Sequence, residues 1–196
     1  MNHLHPQVKD LWTHLGLERL RYDYPLDENS LVIDIGAHKG VFMTGIWERY
    51  DCRIIGFEKD LELCKITNTN IYALTKANVF LARVCGINDS GNDNNYYSKI
   101  SNKVSIDHIL NFWANDENSP FTINDLVKIN VEGDEYEILE NIADETLKKI
   151  KYLQIQFHIL DQTSFVRRYN IQQKLTKTHR LQWCYEFVWE SWELKL

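Results

Sequence analysis

Three short stretches hold residue types that do chemistry once a fold brings them to one edge. The first is Asp34-Ile35-Gly36-Ala37-His38-Lys39-Gly40, a carboxylate followed by two spaced glycines. A glycine just after a strand lets the chain turn sharply and lets a ligand approach the backbone. A glycine that opens the next helix permits close helix–strand contact. Glu58 ends the next apolar run and Lys59 follows it. In doubly wound folds a carboxylate at that place accepts hydrogen bonds from both hydroxyls of a ribose. The two signals together predict a nucleoside ligand touched by Asp34, Gly36, Ala37, His38, Gly40, Glu58 and Lys59.

The second stretch is Val127-Lys128-Ile129-Asn130-Val131-Glu132-Gly133. Side chains alternate along a strand, so Lys128, Asn130 and Glu132 are expected on one face. A polar face on a central parallel strand is expensive unless its members pair or serve chemistry. A structural Lys128–Glu132 pair stays open as the plainer explanation. The third stretch, Leu153-Gln154-Ile155-Gln156-Phe157-His158, ends in a histidine at the same expected edge. Imidazole titrates near neutral pH and suits proton removal from a hydroxyl. His158 is therefore the first candidate base and Glu132 the second, with Asn130 and Lys128 as further catalytic candidates.

The loop chemistry narrows the nucleoside. A dinucleotide loop reads Gly-x-Gly-x-x-Gly and cradles a pyrophosphate on a helix N-terminus. Here His38 stands where the middle glycine belongs, and Asp34 opens the loop. A carboxylate at that mouth repels a pyrophosphate and suits a sulfonium and an amino group. That favours S-adenosylmethionine (SAM) over a nicotinamide dinucleotide, with an NAD-binding oxidoreductase as the alternative. Tyr72 and Lys76 have the Tyr-x-x-x-Lys spacing of short-chain dehydrogenases, but they precede the third strand and read as helix-surface residues. Cys52, Cys64, Cys85 and Cys184 form no Cys-x-x-Cys pair, so no metal site is expected.

Elements that position these residues follow from periodicity. Residues 8–20 have apolar side chains near helical spacing and predict an N-terminal helix. Leu31–Ile35, Arg53–Glu58 and Val79–Val84 are short apolar runs that suit buried parallel strands, with helices over 40–50 and 60–76 between them. Residues 88–95 read as a polar turn, followed by a short strand or hairpin. Ser105 is expected to cap a helix reaching Phe112, and residues 115–120 a loop. Leu126–Val131 and Tyr152–His158 are further strands, with helices over 135–142 and 162–179. The end, 181–196, fits an antiparallel strand pair or a helix. Strands are favoured because Trp183, Tyr185, Phe187 and Trp189 alternate. This order predicts an α/β, Rossmann-like, mostly parallel doubly wound sheet in one domain over 1–196.

The chain has 196 residues and a net charge of −6. An acidic chain is a poor general binder of phosphate backbones, so no nucleic-acid partner is expected. Apolar runs are too short to span a membrane and Met1–Pro6 show no secretory pattern, which makes a cytoplasmic location the expectation.

Several of these segments, in this order, resemble the FkbM family of SAM-dependent methyltransferases. LVIDIGAHKG (31–40) is similar to the family's first glycine loop, and IGFEK (55–59) to its acidic strand end. VSIDHIL (104–110) resembles the segment before its fourth strand, and VKINVEGDEYEIL (127–139) its Lys-Ile-Asp-Val-Glu-Gly stretch. QIQFH (154–158) resembles a strand that often ends in Glu-x-His. The resemblance implies a class I methyltransferase fold, SAM as cofactor, and O-methylation of a small-molecule or oligosaccharide acceptor, often a sugar hydroxyl. It points to Asp34, Gly36, Gly40 and Glu58 on the cofactor side and to Glu132 and His158 on the acceptor side. Asn130 and Gln156 stand where the family usually has acids, which weakens any metal proposal. It also keeps a non-catalytic protein of the same fold as an alternative. A nucleic-acid methyltransferase is disfavoured by the charge and by the lack of an Asn/Asp-Pro-Pro-Tyr loop.

Overall fold

The computed structural model describes residues 12, 14–86, 102–115 and 121–195. Apolar, β-branched runs become strands with both faces covered, the arrangement that parallel sheets require. They are β1 (Leu31–Ile35), β2 (Arg53–Glu58), β3 (Ala77–Cys85), β4 (Asn102–Ser105), β5 (Asn124–Ile129) and β6 (Ile150–Ile155). The helices between them are α1 (Val41–Tyr50), α2 (Leu61–Asn70), α3 (Ile106–Asn115), α4 (Asp134–Asn141), the single turn α5 (Asp144–Leu147) and α6 (Thr163–Leu175). A hairpin of β7 (His179–Tyr185) and β8 (Trp189–Leu194) closes the described chain.

Among the described residues these strands form one sheet in the order β4-β3-β2-β1-β5-β6-β8-β7. β1 to β6 pair in parallel, and β8 runs antiparallel to both β6 and β7. The α/β, doubly wound reading of the sequence, with its antiparallel end, is the architecture found. The chain leaves β1 toward β2 on one side and returns as β5 on the other. The loops after β1 and β5 therefore diverge, and a crevice opens at the carboxyl ends of these strands.

Each face of the sheet has its own apolar cluster. One face packs Ile33, Ile55, Val127 and Leu153 against α3, α4 and α6 through Ile106, Leu110, Tyr136, Ile138 and Ile171. The other packs Val32, Ile54 and Leu126 against α1 and α2 through Met43, Ile46, Cys64 and Ile71. On that second face a polar row crosses the middle of the sheet. Asp34 registers with Lys128, Lys128 with Gln154, and Gln154 with Ser191. Tyr24, from the connection before β1, covers the row. Its hydroxyl donates to Ser191 and accepts from Gln154.

Some boundaries differ from the sequence reading. The N-terminal helix does not continue to residue 20. Gly16 adopts a left-handed conformation (φ 63°) and the chain resumes as a 3₁₀ turn over Leu17–Arg21. Residues 8–11 and 13 of the expected helix, the polar turn at 88–95 and most of the loop at 115–120 lie outside the described residues. β5 stops at Ile129 and β6 at Ile155, two to three residues short of the apolar pattern. The alternating aromatic residues span two strands: Trp183 and Tyr185 lie on β7, Phe187 turns with φ 53°, and Trp189 opens β8. Ser105 does cap α3, its hydroxyl accepting from the His108 N–H at 3.1 Å.

Candidate active site

The glycine loop is shaped by its neighbours on both sides. The N–H groups of Gly36 and Ala37 both donate to the Phe57 carbonyl, at 2.9 and 3.0 Å. Gly36 takes φ 84°, and a Cβ there would lie 1.9 Å from the Asn130 carbonyl oxygen. No side chain fits that gap, so glycine is required by contact as well as by torsion. Gly40 opens α1 with φ 76°, and a Cβ there would press on Thr67 and Ile71 of α2 at 3.1 Å. His38 also has positive φ, 52°, which aims its backbone N–H at Glu58.

Glu58 ends β2 and is buried. One oxygen accepts from the His38 N–H at 2.8 Å, the other from the Asp60 N–H at 2.9 Å. Two main-chain donors fix the carboxylate without a counter-cation. Each oxygen keeps a lone pair for a further donor, and the group lines a cavity of about 590 Å³. That volume lies within the usual range for small-molecule sites. Gly36, His38, Glu58, Lys59, Asn130 and Glu132 line it, so it joins the carboxyl ends of β1, β2 and β5. Asp60 caps α2 by accepting from the Leu63 N–H. On the far rim Asp134 holds both Arg83, at 2.8 Å, and Lys59, at 3.1 Å.

Asp34 and Lys128 are not at the mouth of this cavity. Both are buried within the sheet. The Lys128 ammonium donates to Asp34 at 2.7 Å and to the Gly36 carbonyl at 2.8 Å. The expected grouping of Lys128 with Asn130 and Glu132 fails because β5 ends at Ile129. Glu132 turns into the left-handed region (φ 57°) just before Gly133. The Lys128–Glu132 pair is accordingly replaced by Lys128–Asp34. Burial pulls the Lys128 ammonium below its ordinary value, while Asp34 opposes that shift. The electrostatic argument drawn from Asp34 therefore passes to Glu58, the carboxylate that faces the cavity. Ala37 is buried and, like Gly40, stands behind the lining.

The acceptor-side candidates gather where β5 and β6 end. Glu132 is 63% exposed and its carboxylate lies 4.0 Å from Nε2 of His158. His158 itself is buried just behind the cavity wall. Its Nδ1 lies 3.0 Å from Glu135, which also accepts from the His158 main-chain N–H at 2.8 Å and from that of Gly133 at 2.7 Å. The Tyr136 hydroxyl donates to the His158 carbonyl at 2.7 Å, and burial pushes that hydroxyl up to about 12, which keeps it a donor. Two polar atoms here are buried without a hydrogen-bond partner: Nε2 of His158 and Oδ1 of Asn130. Other buried atoms, Trp47 Nε1 and Gln154 Oε1 among them, are likewise unpartnered, so what sets these two apart is their place at or just behind the cavity wall. Among the described residues no group of three or more His, Cys, Asp or Glu side chains is placed to hold a metal ion.

Glu135 was not among the candidates read from the sequence. Its signal was present: it shares the core-facing stripe of α4 with Ile138 and Leu139, where an apolar residue is the rule.

No protein-family model matches the sequence, and no curated protein does. The resemblance to the FkbM family thus rests on the five segments quoted above. Solved structures do match. A Streptococcus mutans protein assigned as a methyltransferase, in complex with SAH, superposes with a TM-score of 0.59 at 10% identity, over 92% of this chain and 97% of its own. A protein from Clostridium thermocellum assigned as an rRNA methylase gives 0.56 at 10% identity, over 93% and 96%. TrmK of M. capricolum, in complex with S-adenosyl-homocysteine, gives 0.51 at 10% identity, over 98% and 69%. What this chain shares with them is the Rossmann-like fold of class I methyltransferases, along nearly its whole length.

Proposed function

We propose that this chain is a SAM-dependent methyltransferase that transfers a methyl group to a hydroxyl oxygen, with a sugar of a glycan or glycosylated metabolite as the acceptor. The observation that carries the reading is the composition of one cavity. Glu58, held by main-chain donors, and Asn130, with an unpartnered amide oxygen, both line it, and His158, with an unpartnered ring nitrogen, stands just behind its wall. Gly36 lines the same cavity, and its missing side chain lets the Asn130 backbone close against the loop.

SAM brings an electrophilic methyl group on a sulfonium. The rest is the work of the chain. Glu58 accepts from the ribose hydroxyls, and Gly36 and His38 border the ligand. Asn130 and Glu132 orient the acceptor so that oxygen, methyl carbon and sulfur lie in line, and positioning of that kind supplies much of the acceleration. His158 takes the hydroxyl proton through Nε2. Lys59 and Arg83 are both engaged by Asp134, and Glu132 adds an exposed negative charge. A neutral hydroxyl acceptor suits this rim better than a polyphosphate does. The alternative acceptor is RNA, favoured by the rRNA-methylase assignment of a protein with the same fold.

Calorimetric titration with SAM, SAH and NAD tests the cofactor: SAM and SAH bind and NAD does not. Tight NAD binding with no response to SAM overturns the reading. Labelled SAM offered with a panel of oligosaccharides, nucleotide sugars and total RNA tests the acceptor. Label in the sugar fraction supports it, and label confined to RNA transfers the proposal to the alternative.

A further inference from the structure

Glu135 is fully buried, and everything that approaches its carboxylate is a nitrogen. Oε2 accepts from the Gly133 N–H. Oε1 accepts from the His158 N–H and lies 3.0 Å from the His158 Nδ1. A carboxylate only accepts hydrogen bonds, and with two main-chain donors on it, the third nitrogen has to donate as well. His158 therefore carries its proton on Nδ1, and the lone pair of the neutral ring sits on Nε2. That nitrogen has no partner and lies 4.0 Å from the exposed Glu132 carboxylate. The residue is held at three points: N–H and Nδ1 by Glu135, and carbonyl oxygen by the Tyr136 hydroxyl. A carboxylate that merely closed the loop at Gly133 would need no contact with the ring.

We propose that Glu135 is the positioning residue for His158, fixing the Nδ1–H tautomer and aiming the Nε2 lone pair at the acceptor hydroxyl. The proposal rests on the reading of His158 as the base. As the new oxygen–carbon bond forms, the carbon–sulfur bond breaks with its electron pair to sulfur. The hydroxyl proton passes to Nε2, and the positive charge lost by the sulfonium appears on the imidazole. Glu135 sits against that new charge and stabilises it. Other charged groups lie on the elements packed beside it. Glu132 faces it from the loop before α4. On α6, Arg167 is engaged by Glu140 and Arg168 by Glu186 and Glu190.

Two measurements test this. The first is the ¹⁵N chemical-shift pattern of the His158 side chain in the wild-type protein, above the pH at which the ring is protonated. A proton on Nδ1 is expected, and a proton on Nε2 overturns the proposal. This experiment needs no acceptor, so it decides the tautomer even where the methyl-transfer reading fails. The second is kinetic. Glu135→Gln should lower kcat by about 100-fold or more, and the ¹⁵N pattern of the variant should lose the fixed Nδ1 proton. SAH affinity should stay within about twofold of wild type. Unchanged kcat with the Nδ1 proton retained overturns the proposal. An amide at this place sets N–H against N–H, so folding is followed by circular dichroism. Should Glu135→Gln unfold, Glu135→Asp decides in its place: it keeps the charge but loses reach, so kcat falls and the Nδ1 proton is no longer fixed, and unchanged values of both overturn the proposal.

Discussion

Two buried histidines mark opposite ends of the same sheet. His179 opens β7 at the amino edge of β6, and His158 follows the carboxyl edge of that strand. Both are shielded from solvent. His179 has both ring nitrogens in hydrogen bonds. Nε2 donates to the Ile150 carbonyl at 3.0 Å, and Nδ1 accepts from the Thr178 hydroxyl at 2.8 Å. His158 has one nitrogen bonded and one without a partner. Burial alone does not tell a structural histidine from a reactive one. What differs is the unpartnered Nε2 of His158, and the proposal that His158 acts as a base rests on it, since a ring with both nitrogens engaged has nowhere to take a proton from a substrate.

Five substitutions break or sharpen this comparison. His158→Ala should reduce methyl transfer by about 10²- to 10⁴-fold across the pH range, the usual contribution of a general base, while His179→Gln leaves turnover within about twofold. Equal losses in the two variants would erase the distinction. Next in size is Lys128→Met, which strands the Asp34 carboxylate inside the sheet and should destabilise the fold by about 3–5 kcal/mol in chemical denaturation. Adding Asp34→Leu should restore most of that loss. A double variant as unstable as the single one would show that the polar row is needed as a unit.

His179→Gln itself should remove about 1–3 kcal/mol at pH 8 by disturbing a buried hydrogen-bonded group. The same variant changes the pH dependence. Burial holds the His179 imidazole below its ordinary value of 6.5, so the folded state keeps it neutral. Below pH 6.5 the unfolded chain binds a proton that the folded chain does not. Stability conferred by His179 is thus complete above 6.5 and is lost as the pH falls through the lower folded-state value. Urea midpoints taken between pH 8 and pH 5.5 should fall in the wild type and flatten in His179→Gln. Last is Glu132→Gly, which relieves a left-handed torsion and should raise stability by about 1 kcal/mol while lowering transfer. A melting temperature that falls would mean Glu132 is held by more than its place at the rim.

The strands were legible in the sequence because buried parallel strands are nearly continuous apolar runs, and Leu31–Ile35 and Arg53–Glu58 were bounded correctly. Gly36 and Glu58 were legible for a related reason: turn and strand-end chemistry is local. What pairs with Lys128 was not legible. Its partner, Asp34, lies 94 residues away on the neighbouring strand, and alternation suggested Glu132 on its own strand instead. That alternation broke at Ile129, since the left-handed turn at Glu132 leaves no mark in a hydropathy pattern. Glu135 was passed over because an acid in the first turn of a helix reads as ordinary dipole compensation. Only its burial against His158 reveals another use.

The strand order has a consequence for how the molecule comes into being. β1 lies in the middle of the sheet, between β2, which follows at once, and β5, which begins at Asn124. On the ribosome, β1 to β4 emerge first and can pair among themselves, yet one edge of β1 stays open until β5 has been made. That edge is apolar, and an unpaired apolar edge invites association with other chains. Asp34 emerges on the same strand, so its charge waits about as long for Lys128. A nascent chain paused between residues 60 and 120 should therefore depend on chaperones more heavily than one released after β6.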